Sequence, residues 1–270
     1  MGKVKQWLRR PLAVLLSGSR GAWLMYLLTM GALVVFLISN SSQLGYKWQW
    51  YRVGRYLLKS GENGLVAGIL LQGVMITLKI SIISLLLSSV IGLVTALLKL
   101  SDSVVARWVA GIYIESIRNT PLLIQILFFY FVLAPIFEVG AFTSAVIALS
   151  LFEGAYTSEI IRGGITAIPK GQWESATSLG MSRFQAYGSV ILPQAFRMMI
   201  PPLTGQAISL IKDSALVSVI AIYDLTMQGQ AIIAETFLTF EIWLTVAALY
   251  LSLTLTLSVL VRLLEKKTMI

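Results

Sequence analysis

"QWESATSLGMSRFQAYGSVILPQAFR", residues 172–197, is a polar stretch punctuated by glycine and proline in a chain that is otherwise strongly apolar. It reads as two short helices. Pro169 and Gly171 end what precedes them. In QWESATSL, Trp173, Ala176 and Leu179 recur every third residue and share one helical face. Gly180 stands where a residue just past a helix end takes the left-handed conformation. Ser182 and Gln185 then form S-x-x-Q, a capping box opening a second helix. That helix meets Pro193, and Pro201 with Pro202 bends the chain again. Periodicity alone leaves two readings open. Either the helix–glycine–helix docks in a partner's groove through Trp173, or it is a surface loop whose Trp173 anchors at a lipid interface.

The surroundings decide the solvent. Of 270 residues, 57% are hydrophobic and 12% charged, about half the charge of a soluble domain. Long apolar runs with so little charge point to lipid. The net charge of +9 does not gather on one face. The basic residues sit mainly at the ends of apolar runs, which excludes nucleic acid as the partner. The chain has neither His nor Cys, so disulfides, thiolate chemistry, His-ligated metals and His acid–base catalysis are excluded. The basic start and the apolar run at 22–38 read as an uncleaved first transmembrane helix rather than a signal peptide.

A crossing of about 30 Å takes about 20 residues. Six segments meet that: 22–39, 66–98, 104–137, 142–161, 188–212 and 241–262. The second is overlong, and LVAGILLQGVMIT is expected along the surface before the chain turns inward. The third carries Pro121, where a kink is expected, and Asp102 or Ser103 caps its start. Six crossings leave both termini on one side. That side collects thirteen of the 21 lysines and arginines, against five opposite, so both termini and the 172–197 stretch are expected in the cytoplasm. One all-α membrane domain results, with no soluble domain.

ESATSLGMSRFQAYGSVILP resembles the signature loop of ABC-importer permeases: E-A-A, three residues, G, nine residues, then I-x-L-P. Here Glu174, Ser175 and Ala176 lead to Gly180 and then to Ile191, Leu192 and Pro193, with Ser175 replacing the usual Ala and Ile191 adjacent to Leu192. The blocks IESIRNTPLLIQILFFYF, GAYTSEIIRGGITAIPKGQWE, LPQAFRMMIPPL and LIKDSALVSVI are similar to the polar amino acid uptake branch. The likeness covers about residues 65–262. It implies a type I importer permease fold over 61–270, with the coupling loop at about 163–187. Residues 1–60 then hold a cytoplasmic N-terminus, an additional helix and an external connector. It also implies that Trp173, Glu174, Ser175, Ala176, Gly180 and Ser182 couple to a separate ATPase. The implied partners are a dimer of ABC ATPase subunits carrying Mg-ATP, a second permease (copy or homologue), an extracytoplasmic solute-binding protein and an amino acid. The implied setting is a bacterial inner membrane. The resemblance further implies that no cofactor or metal belongs to this chain and that none of its residues is catalytic.

Ionisable residues inside spans are functional by default. Glu115 with Arg118, and Glu159 with Arg162, stand three apart and are expected to pair as structural charges. Lys79 is expected to snorkel. Lys212 and Asp213 are expected at the outer boundary, beside a short re-entrant hairpin, DSALVSVIAIYDL. Glu153 differs, since it lies near mid-span with no Lys or Arg within four positions. Left unpaired it is costly to bury, and Gly154 beside it admits a close neighbour. The resemblance places the solute site here, with Glu153, Gln125, Ser150, Tyr156 and Ser209 as candidate contacts. The alternative is a structural carboxyl bonded to Gln125 or Ser150. No G-x-x-x-x-G-K-[ST] occurs, so the chain does not itself bind ATP in the P-loop manner. An intramembrane enzyme built on Glu153 and Glu159 and a passive channel are the rival classes, and a copurifying ATPase separates them from a permease.

Overall fold

The computed structural model describes residues 19–43, 45–61 and 64–268, so the N-terminal cytoplasmic segment expected before position 19 lies outside the described residues. The chain divides into two compact units, 1–49 and 50–270. In the first, Ser19–Gln43 form one helix, α1. Trp23–Leu33 is its apolar stretch, short of a full crossing among the described residues.

The second unit opens with α2 (Gly54–Leu57) and a hairpin that the sequence did not announce. Strands β1 (Leu58–Gly61) and β2 (Gly64–Ala67) pair antiparallel, Leu58 opposite Ala67. The long helix α3 (Ile69–Leu100) follows. The surface-lying start expected for this segment is therefore a strand up to Ala67, and from Ile69 a single 32-residue helix.

α4 (Val104–Arg118) begins under the expected cap, with Ser103 accepting from the Ala106 N–H at 3.3 Å. Beyond it come α5 (Leu122–Phe128), a π-turn (Phe129–Leu133) and α6 (Ala134–Phe137). The expected kink at Pro121 is a 104° break between Val104–Arg118 and Leu122–Phe137. Pro121 has no N–H for the Ile117 carbonyl four residues back. Gln125 Nε2 takes that carbonyl instead at 2.8 Å, and also bonds Thr120 O and Oγ1 at 3.1 and 2.8 Å.

α7 (Ala141–Thr166) returns through the centre and packs along α3. The two backbones approach closely because small residues line the seam. A Cβ on Gly92 would stand 2.5 Å from Thr157 Cγ2, and one on Gly154 would stand 2.7 Å from Ile91 Cγ2. Leu149, Ile80, Ile126, Leu210 and Val217 form the largest core cluster around this seam.

The loop beyond α7 contains α8 (Lys170–Ser178) and α9 (Arg183–Ala186). A π-turn (Tyr187–Ile191) precedes α10 (Leu192–Asp213), and its wider winding leads into Pro193. Pro201 and Pro202 lie inside α10. The hairpin at 213–225 is a 3₁₀ turn (Ser214–Ile220) reversed at Ala221 (φ +57°). Asp224 then caps α11 (Leu225–Thr236), and α12 (Thr239–Thr268) closes the chain.

Among the described residues four helices are long and apolar enough to cross a membrane, and five if the bent pair counts as one. The sequence expected six. The count falls short at the first segment, whose described apolar stretch is too short.

Candidate functional site

Two neighbourhoods carry the sequence-expected residues. The first is the loop at 163–187. α8 ends in a Schellman arrangement: the Met181 N–H bonds Ala176 O at 3.1 Å and the Gly180 N–H bonds Thr177 O at 2.9 Å. Gly180 has φ +73°, the left-handed value this motif needs. The Ser182–Gln185 capping box is complete, Ser182 Oγ accepting from the Gln185 N–H at 3.3 Å and Gln185 Oε1 from the Ser182 N–H at 2.9 Å. Gly171 ends nothing. It sits in the first turn of α8, which Pro169 opens.

The shared face of Trp173, Ala176 and Leu179 divides in the structure. Ala176 is buried, and Trp173 is half-buried, edge-on to Tyr187 at 4.7 Å and packed on the Ile161–Ile165–Ala195 cluster. Leu179 is 77% exposed, because it is the C-cap, where the helix already unwinds. Trp173 is therefore a bolt inside this chain rather than an exposed docking aromatic. The exposed aromatic is Phe184, 89% accessible, which the reading by triplets passed over because it lies beyond Gly180. Glu174, Ser175, Gly180 and Ser182 are exposed beside it. Gln194 on α10 donates to Gln172 at 3.1 Å, so the short helix is fastened to α10 at two points.

The second neighbourhood is Glu153 on α7. The side chain is 1% exposed, and its Oε1 has no hydrogen-bond partner. Neither candidate partner reaches it. Ser150 Oγ donates to Val146 O at 2.5 Å, within its own helix, and Gln125 is committed to the break at Pro121. The polar neighbours of Glu153 come from α10: Gln206 lies against the carboxyl, and Asp213, hydrogen-bonded by Ser209, is within electrostatic reach. Gln206, Ser209 and Asp213 are spaced three and four apart, on one half-buried face. Asp213 thus belongs to this cluster as well as to the turn that follows it. Gln206 escaped sequence reasoning, although its spacing from Ser209 was a usable signal. Tyr156 lies tilted against Phe152, ring centroids 5.0 Å apart, and under the Arg118 guanidinium at 5.2 Å.

That contact corrects one expected pair. Among the described residues Arg118 makes no ion pair with Glu115. Glu115 instead accepts from Asn119 Nδ2 at 2.9 Å, and the aromatic face holds Arg118. Glu159 and Arg162 pair as expected, bidentate at 2.8 and 3.1 Å. The Lys79 ammonium lies over the Phe142 ring at 5.4 Å. No cluster of potential metal ligands occurs among the described residues.

One helix, α10, therefore carries both the fastening of the exposed loop at Gln194 and the polar face beside Glu153. An apolar helical domain that joins a capped loop at one end to a buried polar cluster is a membrane-spanning permease. The chain belongs to the family of binding-protein-dependent transport system inner membrane components, which matches residues 88–270. Within it the chain is an ABC importer permease of the polar amino acid branch. It is 43% identical over 202 residues to the glutamine transport system permease protein GlnP of Escherichia coli K12, covering 74% of this chain and 92% of the relative. It is 47% identical over 166 residues to the L-cystine transport system permease protein TcyB of Bacillus subtilis 168, covering 61% and 70%. A solved amino acid ABC transporter with histidines is similar at 41% identity and TM-score 0.70, over 74% of this chain and 94% of that one. The inward-facing MetNI methionine transporter has the same fold, with TM-score 0.64 at 21% identity over 74% and 96%.

Proposed function

We propose that this chain translocates a polar amino acid, with a basic one ahead of glutamine, and that a separate ATPase moves it through the 163–187 loop. The observation that carries the solute reading is Glu153, a fully buried carboxyl with an unpartnered oxygen and a second carboxyl, Asp213, within electrostatic reach. Lys212 acts on Asp213 but no cation acts on Glu153, which leaves the buried carboxyl and the Gln206 amide as a receptor for an ammonium or guanidinium group, since a close charge pair gains far more in a water-poor site than in bulk water. Gln206, Ser209 and Asp213 ride on the helix that the loop grips. Displacement of the loop by nucleotide-driven closure on a dimer of ATPase subunits is carried about twelve residues, roughly 18 Å along α10, to the solute contacts. Gln125 and Ser150 hold the scaffold, and Tyr156 lines it.

The working assembly in this reading has a second permease, a copy or a homologue, and an extracytoplasmic binding protein. It sits in a bacterial inner membrane with Mg-ATP on the ATPase alone. α1 supplies the sixth crossing, and both termini are cytoplasmic. The names of the glutamine permease relatives favour a second reading, in which glutamine is the solute and Glu153 holds its α-ammonium.

Glu153→Gln keeps the shape and removes the charge. It should lower uptake of basic amino acids at least about tenfold, about 1.4 kcal/mol of lost pairing. A loss confined to glutamine would select the second reading. Unchanged uptake of every amino acid tested would reduce Glu153 to a structural carboxyl.

A further inference from the structure

One charged cluster is not used by the Glu153 site. A cavity of about 480 Å³ lies where the end of α3 meets the first turns of α4, within the size range of small-molecule sites. Val104, Trp108 and Ile112, all exposed, form its apolar wall, and Lys99, Arg107 and Glu115 supply its charges. Arg107, Gly111 and Glu115 are four apart and so follow one another down a single face of α4. The Lys99 ammonium is held over the middle of that row, Nζ standing 3.0 Å from where a Cβ on Gly111 would be. Lys99 is half-buried and Glu115 exposed, and neither is in an ion pair among the described residues. Arg107 is tied to the turn by a 3.0 Å bond to Ser101 O. The Arg183–Asp102 contact at 3.7 Å puts this turn at the same end of the domain as the exposed loop.

The charges select the occupant. Arg107 one turn before Gly111, Lys99 beside it and Glu115 one turn after it, each step roughly 5–6 Å, match a zwitterion. The Glu115 carboxylate disfavours an acyl chain beside it, because intramembrane charges face protein or water. We propose that this cavity is a second amino-acid site at the loop end of the pathway. It holds a free amino acid by its α-carboxylate on Lys99 and Arg107 and by an ammonium on Glu115, with the aliphatic part against Trp108 and Ile112. A solute leaving the Glu153 cluster toward the loop is received here before release. The inference rests on the amino-acid reading of the solute, but its residues are separate from Glu153.

The test is equilibrium dialysis of the full permease with its ATPase in nanodiscs, against labelled arginine and labelled glutamine. Wild type should bind two amino acids per chain, Glu115→Gln and Glu153→Gln one each, and the double variant none. Lys99→Gln should weaken the Glu115-dependent binding of arginine at least about tenfold. Agmatine, which is arginine without its carboxylate, should bind that site equally in wild type and Lys99→Gln. Wild-type stoichiometry in Glu115→Gln overturns the inference and leaves the Glu153 reading intact. Loss in Glu115→Gln with none in Glu153→Gln overturns the Glu153 reading instead. An anionic phospholipid retained by wild type and lost in Lys99→Gln, with amino-acid stoichiometry unchanged, makes the cavity a lipid site and also overturns the inference.

Discussion

Replacing Gly180 isolates the mechanical role of the loop from every contact it makes. A Cβ at this position would meet nothing within 4 Å, and the backbone stands at φ +73°. The whole cost of substitution is therefore conformational. An L-residue held left-handed costs about 1–2 kcal/mol, and a β-branched one lies at or above the upper end of that range. Asn tolerates the region best after glycine. About 2 kcal/mol shifts the balance between the turned and unturned loop roughly 30-fold, and about 1 kcal/mol roughly fivefold. Both are small against the roughly 5–15 kcal/mol that typically holds a protein folded, so the membrane domain should still insert. In proteoliposomes containing the ATPase and a binding protein, uptake and solute-stimulated ATP hydrolysis should fall together. The expected losses are about 30-fold for Gly180→Val, about fivefold for Gly180→Ala and no more than about twofold for Gly180→Asn. Wild-type transport by Gly180→Val, or failure of Gly180→Asn as deep as that of Gly180→Val, would refute the reasoning.

Gly92→Val forces a side chain to within 2.5 Å of Thr157 Cγ2. It should destabilise the α3–α7 seam by about 1–3 kcal/mol, read as a lowered melting temperature. Gly163→Ala, with nothing within 4 Å, should leave that temperature unchanged or slightly raised. Burial pushes the Asp224 carboxyl up to about 6, against the hydrogen bonds from Met227, Thr226 and Tyr250 that hold it down. The folded state binds this proton more tightly than the unfolded one, so stability should rise as pH falls through about 6 toward the unfolded value near 4. Thermal melts across that window check the slope. Asp224→Asn, which keeps a good N-cap residue, should flatten it. A reporter active only outside the cytoplasm, fused after Ile270, should give no signal, and a strong signal would reverse the proposed topology.

The local devices were legible because they are local. The Ser182–Gln185 capping box, the Gly180 turn, the Ser103 cap and the Glu159–Arg162 pair each involve residues within five positions, where local geometry alone brings partners together. The motif blocks likewise marked the membrane permease class. Where a competing partner stood one turn along the same helix or on another element, local spacing misled. Glu115 and Arg118 have the same spacing as Glu159 and Arg162, yet Asn119 holds the one and the Tyr156 ring the other.

Sequence by itself therefore determined the solvent, the helical class, the reversal at Gly180 and the oddity of Glu153, since composition and short-range spacing carry all four. Tertiary structure alone decided that Trp173 turns inward on Tyr187 while Phe184 stays exposed. It also decided that Pro121 turns a kink into a 104° break closed by Gln125, and that Gln206 and Asp213 are the neighbours of Glu153. Each of these depends on which face one helix offers to a neighbouring element, or on how far a freed backbone carbonyl lets the chain turn. Periodicity gives the faces of a helix, and only packing chooses which face meets which.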